Sequence, residues 1–256
     1  MFEAGGDRAF LADVYGPLSR TQRWWLEASD PDGDGLPDYT HHYSSGLDDS
    51  PLWDGGGPLG ATDLVAHLVG QADHLALIAA ELGRPAAEVA CWRAQAGALT
   101  ERLVARRWDA RAGAFWARRG SESVRVRTPF GLLPLGTGRL PAPIADRLVA
   151  DLIDPRRFWT PHPVPTVAAD EPAFDPRQMW RGPVWVNVNH LLVGALRRAG
   201  YRDVAAELRE RTLALVVGTP DCCEYYDPRS GERAPGATSS FGWTAALFAD
   251  LALTSP

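Results

Sequence analysis

An all-α fold of helical hairpins, arranged as a toroid or solenoid, is what this 256-residue sequence predicts, and three observations carry the prediction. Apolar residues recur at helical spacing through most of the chain. Stop-and-start signals such as Gly83-Arg84-Pro85 pair successive helices. Three long Gly- and Pro-containing connections, 29–58, 155–184 and 218–239, separate the pairs, which suits a toroid or solenoid better than a compact bundle even without a residue-level repeat.

The first helix follows from Phe10, Val14, Leu18 and Trp25 on one face. Ala61, Leu64, Val65, Leu68, Val69, Ala72, Leu75, Ala76, Ala79 and Leu82 predict the second. Val89, Trp92, Ala96, Leu99 and Leu103 continue the pattern past Gly83-Arg84-Pro85, so the third helix runs antiparallel to the second. Segments 114–117 and 123–127 read as two strands of a small hairpin. Further helices are expected near 141–154, 185–199, 201–217 and 240–253, for a total of seven or eight.

Composition narrows the function. With 45% apolar and 23% charged residues the chain is an ordinary globular protein, and a net charge of −6 without blocks of like charge argues against nucleic-acid binding. Every basic residue is arginine, which excludes lysine Schiff-base chemistry and a P-loop lysine. Cys91, Cys222 and Cys223 lack metal-ligand spacing, and an adjacent pair rarely closes a structural disulfide, so a reducing cytoplasm fits best. Glu3, Asp7 and Arg8 stand where a leader needs a basic start and an apolar run, and no apolar stretch reaches about 18 residues. Neither export nor membrane insertion is expected.

The long connections hold the unusual chemistry, since loops beyond about 12–15 residues are commonly functional. The first contains Ser45-Gly46-Leu47-Asp48-Asp49-Ser50-Pro51, the second Met179-Trp180-Arg181-Gly182-Pro183-Val184-Trp185-Val186-Asn187, and the third Cys223-Glu224-Tyr225-Tyr226-Asp227-Pro228. Cleaving a glycosidic bond takes one carboxylic acid to protonate the leaving oxygen, one carboxylate to activate water or attack, and aromatic walls to hold the ring. Asp48 and Glu224 are the candidate pair. Trp180, Arg181, Trp185, Asn187, Tyr43 and Trp243 are the candidates to line a sugar pocket, with Arg181 gripping hydroxyls beside an indole platform. Each has a structural alternative: an Asx turn or helix cap for Asp48, a surface position for Glu224, core packing for the aromatics, an ion pair for Arg181. His41 and His42 are read as loop histidines near the pocket. Asp30-Pro31-Asp32-Gly33-Asp34-Gly35 repeats the first half of a calcium loop, but His41 stands where the closing acid belongs, so a turn stabilised by Asp and Gly is preferred and no metal is assigned.

In their order along the chain, these three segments resemble glycoside hydrolase family 63 and its mannosylglycerate hydrolase-like relatives, with a looser likeness to family 37 trehalases. Asp30–Leu36, Val164–Asp170 and Phe241-Gly242-Trp243-Thr244-Ala245-Ala246 are similar to family segments as well, so the resemblance runs through nearly the whole sequence. It implies an α/α toroid of six helical hairpins that hydrolyses α-glycosides with inversion and needs no cofactor. By position in the motifs, Asp48 would be the general acid, kept protonated by partial burial, and Glu224 the general base. Such a pair should stand about 6.5–9.5 Å apart.

Two departures qualify the likeness. Tyr43-Ser44 replaces the Trp-Glu pair that mannosylglycerate hydrolases tend to carry before Ser-Gly, which weakens the case for a glycerate substrate. Seven or eight helices are also fewer than the family's twelve, and the opening residues read like the interior of a hairpin. The expectation is one toroid domain over 1–256, open at its N-terminal side with Phe10, Val14 and Leu18 exposed, where a partner chain or self-association would cover it. The alternatives to an enzyme acting on a small oligosaccharide or glycoside are a non-catalytic sugar-binding remnant and a half-barrel that needs another chain.

Overall fold

The computed structural model describes residues 5–254. Seven helices of eleven or more residues dominate the described chain: α1 (Arg8–Ala28), α3 (Thr62–Glu81), α4 (Ala86–Arg107), α5 (Ala142–Leu152), α6 (Val186–Ala199), α7 (Arg202–Val217) and α8 (Gly242–Leu253). A four-residue α2 (His42–Ser45) and a 3-10 turn (Pro51–Trp53) lie within the first long connection. α3 packs on α4 and α6 on α7, so the expected hairpins form. Each predicted helix in the second half lies within about two residues of its expected bounds.

Strands and the middle of the chain depart from expectation. Two hairpins form instead of one: β1 (Trp108–Asp109) pairs with β2 (Ala114–Phe115), and β3 (Ala117–Arg119) pairs with β4 (Glu122–Val124). The turn at Gly113 and the turn at Gly120 each close a local antiparallel pair, and short-range closure costs less chain entropy than joining 114–117 to 123–127. A nine-residue 3-10 run, Pro129–Thr137, follows and is almost entirely buried. Its prolines at 129 and 134 deprive an α-helix of donors, which is why an apolar stretch adopts the tighter coil. Both α3 and α6 pack on it, and it forms the floor between them.

Helix α1 starts at Asp7, whose carboxylate accepts the Phe10 N–H at 3.0 Å. It buries Leu11, Tyr15, Ser19 and Gln22, a face rotated by one residue from the predicted stripe; Phe10 is exposed, and Val14 and Leu18 are half-buried. Hydrogen bonds decide this rotation. The Trp92 indole N–H donates to the Tyr15 hydroxyl at 2.9 Å, and that hydroxyl donates to Glu88 at 2.6 Å. The Gln22 amide donates to the Leu68 carbonyl and to Gln95, both at 3.0 Å. Apolar periodicity cannot register a face whose buried groups are polar.

One side of the molecule is open. Leu11, Leu18, Gly70, Leu77, Gly194 and Ala195 belong to the lining of an apolar groove of about 830 Å³ between α1, α3, the 3-10 run and α6. At the other margin, α8 is apolar all round yet buries only Thr244 and Leu251 fully. Helices of that composition are ordinarily enclosed. Leu77 and Leu191 are exposed along the groove, and Trp243 and Leu253 are exposed on α8.

The contrast between the enclosed core and this margin gives a stability test. Leu103 is fully buried in α4, and Leu103→Ala should cost about 2–5 kcal/mol in urea unfolding. Leu253 is 86% exposed, so Leu253→Ala should change stability by no more than about 0.5 kcal/mol. Similar losses at both positions would contradict the packing described.

Candidate active site

Three long connections meet at one place. Val184, at the end of the second, exchanges backbone hydrogen bonds with Tyr226 of the third, at 2.8 and 2.9 Å, and bridges back to Pro165. Asn189 on α6 ties the second connection down: its carbonyl oxygen accepts the Val164 N–H at 3.0 Å, while its amide donates to the Pro163 carbonyl and the Thr212 hydroxyl. The first connection joins through Asp49, whose carboxylate accepts the Trp180 backbone N–H at 2.8 Å and the Gln178 amide at 3.1 Å. Beside it, Arg181 grips Asp54 with both guanidinium ends.

Beneath these loops the aromatics form a stack. Trp180 lies on Trp185 with ring centroids 3.9 Å apart and planes 8° from parallel, and Trp185 lies on Tyr225 at 5.1 Å. Phe241 and Trp243 meet Trp185 edge-on. Gly182 is required by this packing, because a β-carbon there would run into the backbone carbonyl of Asp175. Gly231 supplies the left-handed turn, φ +75°, that folds 227–233 back on Tyr226.

The predicted site residues fall into three groups. Trp180 and Trp185 are each 3% exposed, and the Trp185 indole donates to the Met179 carbonyl. They support the site from below, where a sugar-facing wall was expected. Arg181 takes its structural alternative, the ion pair with Asp54, which also holds its guanidinium pKa up through that hydrogen bond. Tyr43 and Trp243, by contrast, are 69% and 49% exposed, and Asn187 holds an amide oxygen without a partner in a half-buried position at the start of α6.

Glu224 is half-buried and anchored. Its backbone N–H donates to the Thr238 carbonyl at 2.8 Å and its Oε2 accepts the Thr238 N–H at 3.1 Å. The following hydroxyl, Tyr225, has its pKa raised, first by burial and then by the negative charges of Glu224 and Asp49. One phenol thus feels carboxylates from both the first and third connections. Asp48, the neighbour of Asp49, is exposed; the partial burial expected of it is not supplied by the described residues.

Asp49 helps build the site without a role assigned from sequence; Asp63 carried none either, and the 30–35 segment forms the expected turn stabilised by Asp and Gly. Asp49 stood inside a quoted motif, yet its acceptor role depends on a partner 131 positions away. Asp63, in the first turn of α3, is buried, accepts the Tyr39 hydroxyl at 3.1 Å, and leaves its other oxygen unpartnered. Burial pushes its pKa up. The 30–35 segment is a turn in which Asp30 and Asp32 accept backbone N–H groups of Asp34 and Gly35. Oxygens of Asp30, Asp32 and Asp34 also lie within 4.8 Å of one another, and Arg107 pairs with Asp34 at 2.6 Å.

A helical-hairpin fold whose long connections converge over an aromatic stack is that of the α/α-toroid glycosidases. The family profile of the mannosylglycerate hydrolase MGH1-like glycoside hydrolase domain matches residues 1–63 and 59–244, and the chain belongs to that family. A mannosylglycerate hydrolase of Thermus thermophilus is 35% identical over 142 residues, 55% of this chain and 33% of that protein. Mannosylglycerate hydrolase MGH1 of Selaginella moellendorffii is 27% identical over an alignment of 299 positions that covers 93% of this chain and 60% of that protein. The chain therefore spans from a third to three-fifths of these relatives' length. Among solved structures, a GH63 mannosylglycerate hydrolase of Thermus thermophilus in complex with glucose superposes with a TM-score of 0.82 at 27% identity, covering 95% of this chain and 69% of that one.

Two measurements check this anatomy. Asp49→Ala should destabilise the protein by about 1–3 kcal/mol, because the Trp180 N–H loses its acceptor, and should alter tryptophan fluorescence; an unchanged spectrum would detach Asp49 from the stack. Asp38, 3% exposed, has its pKa raised to about 7, first by burial and then by Asp32, with Arg107 opposing. A carboxyl that binds its proton more tightly when folded stabilises most below its unfolded pKa of about 4, and that contribution is lost as pH rises toward about 7. Asp38→Asn should remove this decline. Parallel pH–stability curves for the two proteins between pH 4 and 7 would refute the assignment.

Proposed function

We propose that this chain carries the catalytic pair of an inverting glycosidase acting on an α-glucoside or α-mannosyl conjugate, with Asp48 as general acid and Glu224 as general base. The observation that supports it best is the run of contacts from Asp49 through Trp180 and Trp185 to Tyr225, which brings the loops of Asp48 and Glu224 to one aromatic stack. In this reading Asp48 donates its proton to the leaving oxygen. Glu224, aligned by the Thr238 N–H on Oε2, takes a proton from a water that attacks the opposite face of the sugar. Names of relatives, mannosylglycerate hydrolase and glucosylglycerate hydrolase, support both sugars.

The exposure of Asp48 and the uncovered groove and α8 support a second element of the proposal: further helical chain, continuous or from a partner, completes the wall around the acid. Orientation of substrate contributes a large part of enzymatic rate, so the 256-residue chain by itself should hydrolyse little. A sugar-binding remnant is the rival reading. The free thiols of Cys91, Cys222 and Cys223 favour a cytoplasmic setting.

Kinetics separate these readings. In a form that turns over an α-glycoside, Glu224→Gln should lower kcat by at least about 10²-fold for all substrates, because an amide cannot accept the water's proton. Asp48→Asn should be as damaging for poor leaving groups and much milder for a glycosyl fluoride. Proton NMR should show the β-anomer as first product. First release of the α-anomer, or equal mild losses in both variants, would remove the assignment.

A further inference from the structure

We infer that the face beside Asp48 is a platform for a neutral ring, so that the leaving group is a sugar and not a carboxylate such as glycerate; this rests on the glycosidase reading above. The general acid protonates the oxygen of the leaving group, so residues of its own loop border that group. Asp48 follows closely on Ser45, the end of α2, and a span of that length reaches at most about 11 Å, within one or two sugar rings.

On α2 and its cap, aromatic rings are assembled in series. His41 stacks on His42 with centroids 4.0 Å apart, and His42 meets Tyr43 at 4.0 Å and Trp53 at 6.3 Å. The group is held in place: His41 Nδ1 accepts the Tyr43 N–H at 3.2 Å, and the Trp53 indole donates to the Ser45 hydroxyl at 3.1 Å. Tyr43 nevertheless leaves 69% of its surface exposed. Four braced rings with an uncovered tyrosine offer flat apolar area with polar edges, which suits a pyranose.

Charge on the same loop disfavours an anion. Asp48, Asp49 and Asp54 place three carboxyl groups within seven residues; with Asp48 protonated as the acid and Asp54 paired with Arg181, Asp49 is the one without a cationic partner in this group. Among the described residues, the two arginines bonded to the 48–58 part of this loop are engaged, Arg181 by Asp54 and Arg119 by the carbonyls of Leu52 at 2.8 Å and Gly56. A glycerate carboxylate brought to this face meets the like charge of Asp49 and finds neither guanidinium free to fork onto it.

The test is isothermal titration of the Glu224→Gln protein, which does not consume its ligands, with an α-linked glucose disaccharide and with glucosylglycerate, repeated with the mannosyl pair. The neutral disaccharide should bind roughly five- to ten-fold tighter than its glycerate counterpart. Adding Tyr43→Ala or His42→Ala should bring that ratio toward one, a readout that general loss of fold would not move. Asp54→Asn, which removes a charge and releases Arg181, should tighten glycerate conjugates several-fold at low salt. Equal or tighter binding of the glycerate conjugates, or a ratio unmoved by Tyr43→Ala and His42→Ala, overturns the inference. Should the parent monosaccharides bind while the ratio is one, only the leaving-group assignment falls. If neither monosaccharides nor conjugates bind, the glycosidase reading falls with it.

Discussion

The hydrogen bond from the Trp180 N–H to the Asp49 carboxylate, 2.8 Å long, joins the connection that carries Asp48 to the one that carries the tryptophan stack. Everything else in the site leans on that joint. From Trp180 the contact passes through Trp185 to Tyr225, and the residue before Tyr225 is Glu224. The stack fixes the spacing between the first and third connections much as a rigid spacer would, and the Val184–Tyr226 backbone pair locks its far end. The acidic residues therefore have their positions set by buried indoles and main-chain bonds, which are less compliant than surface ion pairs.

This division of labour explains what could be read in the sequence. Helix bounds at α5 and α6 followed from amphipathic stretches, where burial of one face leaves a periodic trace. The three motif-bearing connections, far apart in sequence, do converge in space. What the sequence hid were interactions whose partners lie far apart. Arg181 has the right chemistry to grip a sugar, and only the placement of Asp54 across the loop turns it into a strut. Trp180 and Trp185 look like a platform because tryptophan often is one, yet both are buried. The α1 face was displaced by one residue because Tyr15, Ser19 and Gln22 are buried through hydrogen bonds, which leave no hydrophobic period. The 3-10 run at 129–137 is uniformly apolar, and an aperiodic apolar segment does not announce its coil.

The family relationship and the local chemistry point in partly different directions, and the difference is informative. Relatives whose names specify glycerate conjugates match this chain in sequence, and a solved mannosylglycerate hydrolase shares its fold. Around Asp48, however, this chain spends its arginines on its own carboxylates and carbonyls and exposes an aromatic ring instead. Fold and acid–base geometry can persist while the surface that meets the leaving group changes, because the former depend on buried contacts and the latter on a few loop side chains.

A helix held mainly by its neighbours resists local opening less where it packs on few of them, and α8 packs chiefly on α6 and α7. Helix α8 is at one margin, with few buried residues, and it is also what clamps the third connection: the Thr244 hydroxyl donates to the Cys223 carbonyl at 2.8 Å and the Phe241 N–H to the Cys222 carbonyl at 2.6 Å. Both clamps grip the residues just before Glu224. Fraying of α8 would therefore loosen Trp243, which it carries, and through these clamps the candidate base, so that any cover over α8 would brace the carboxylate as well as hide apolar surface.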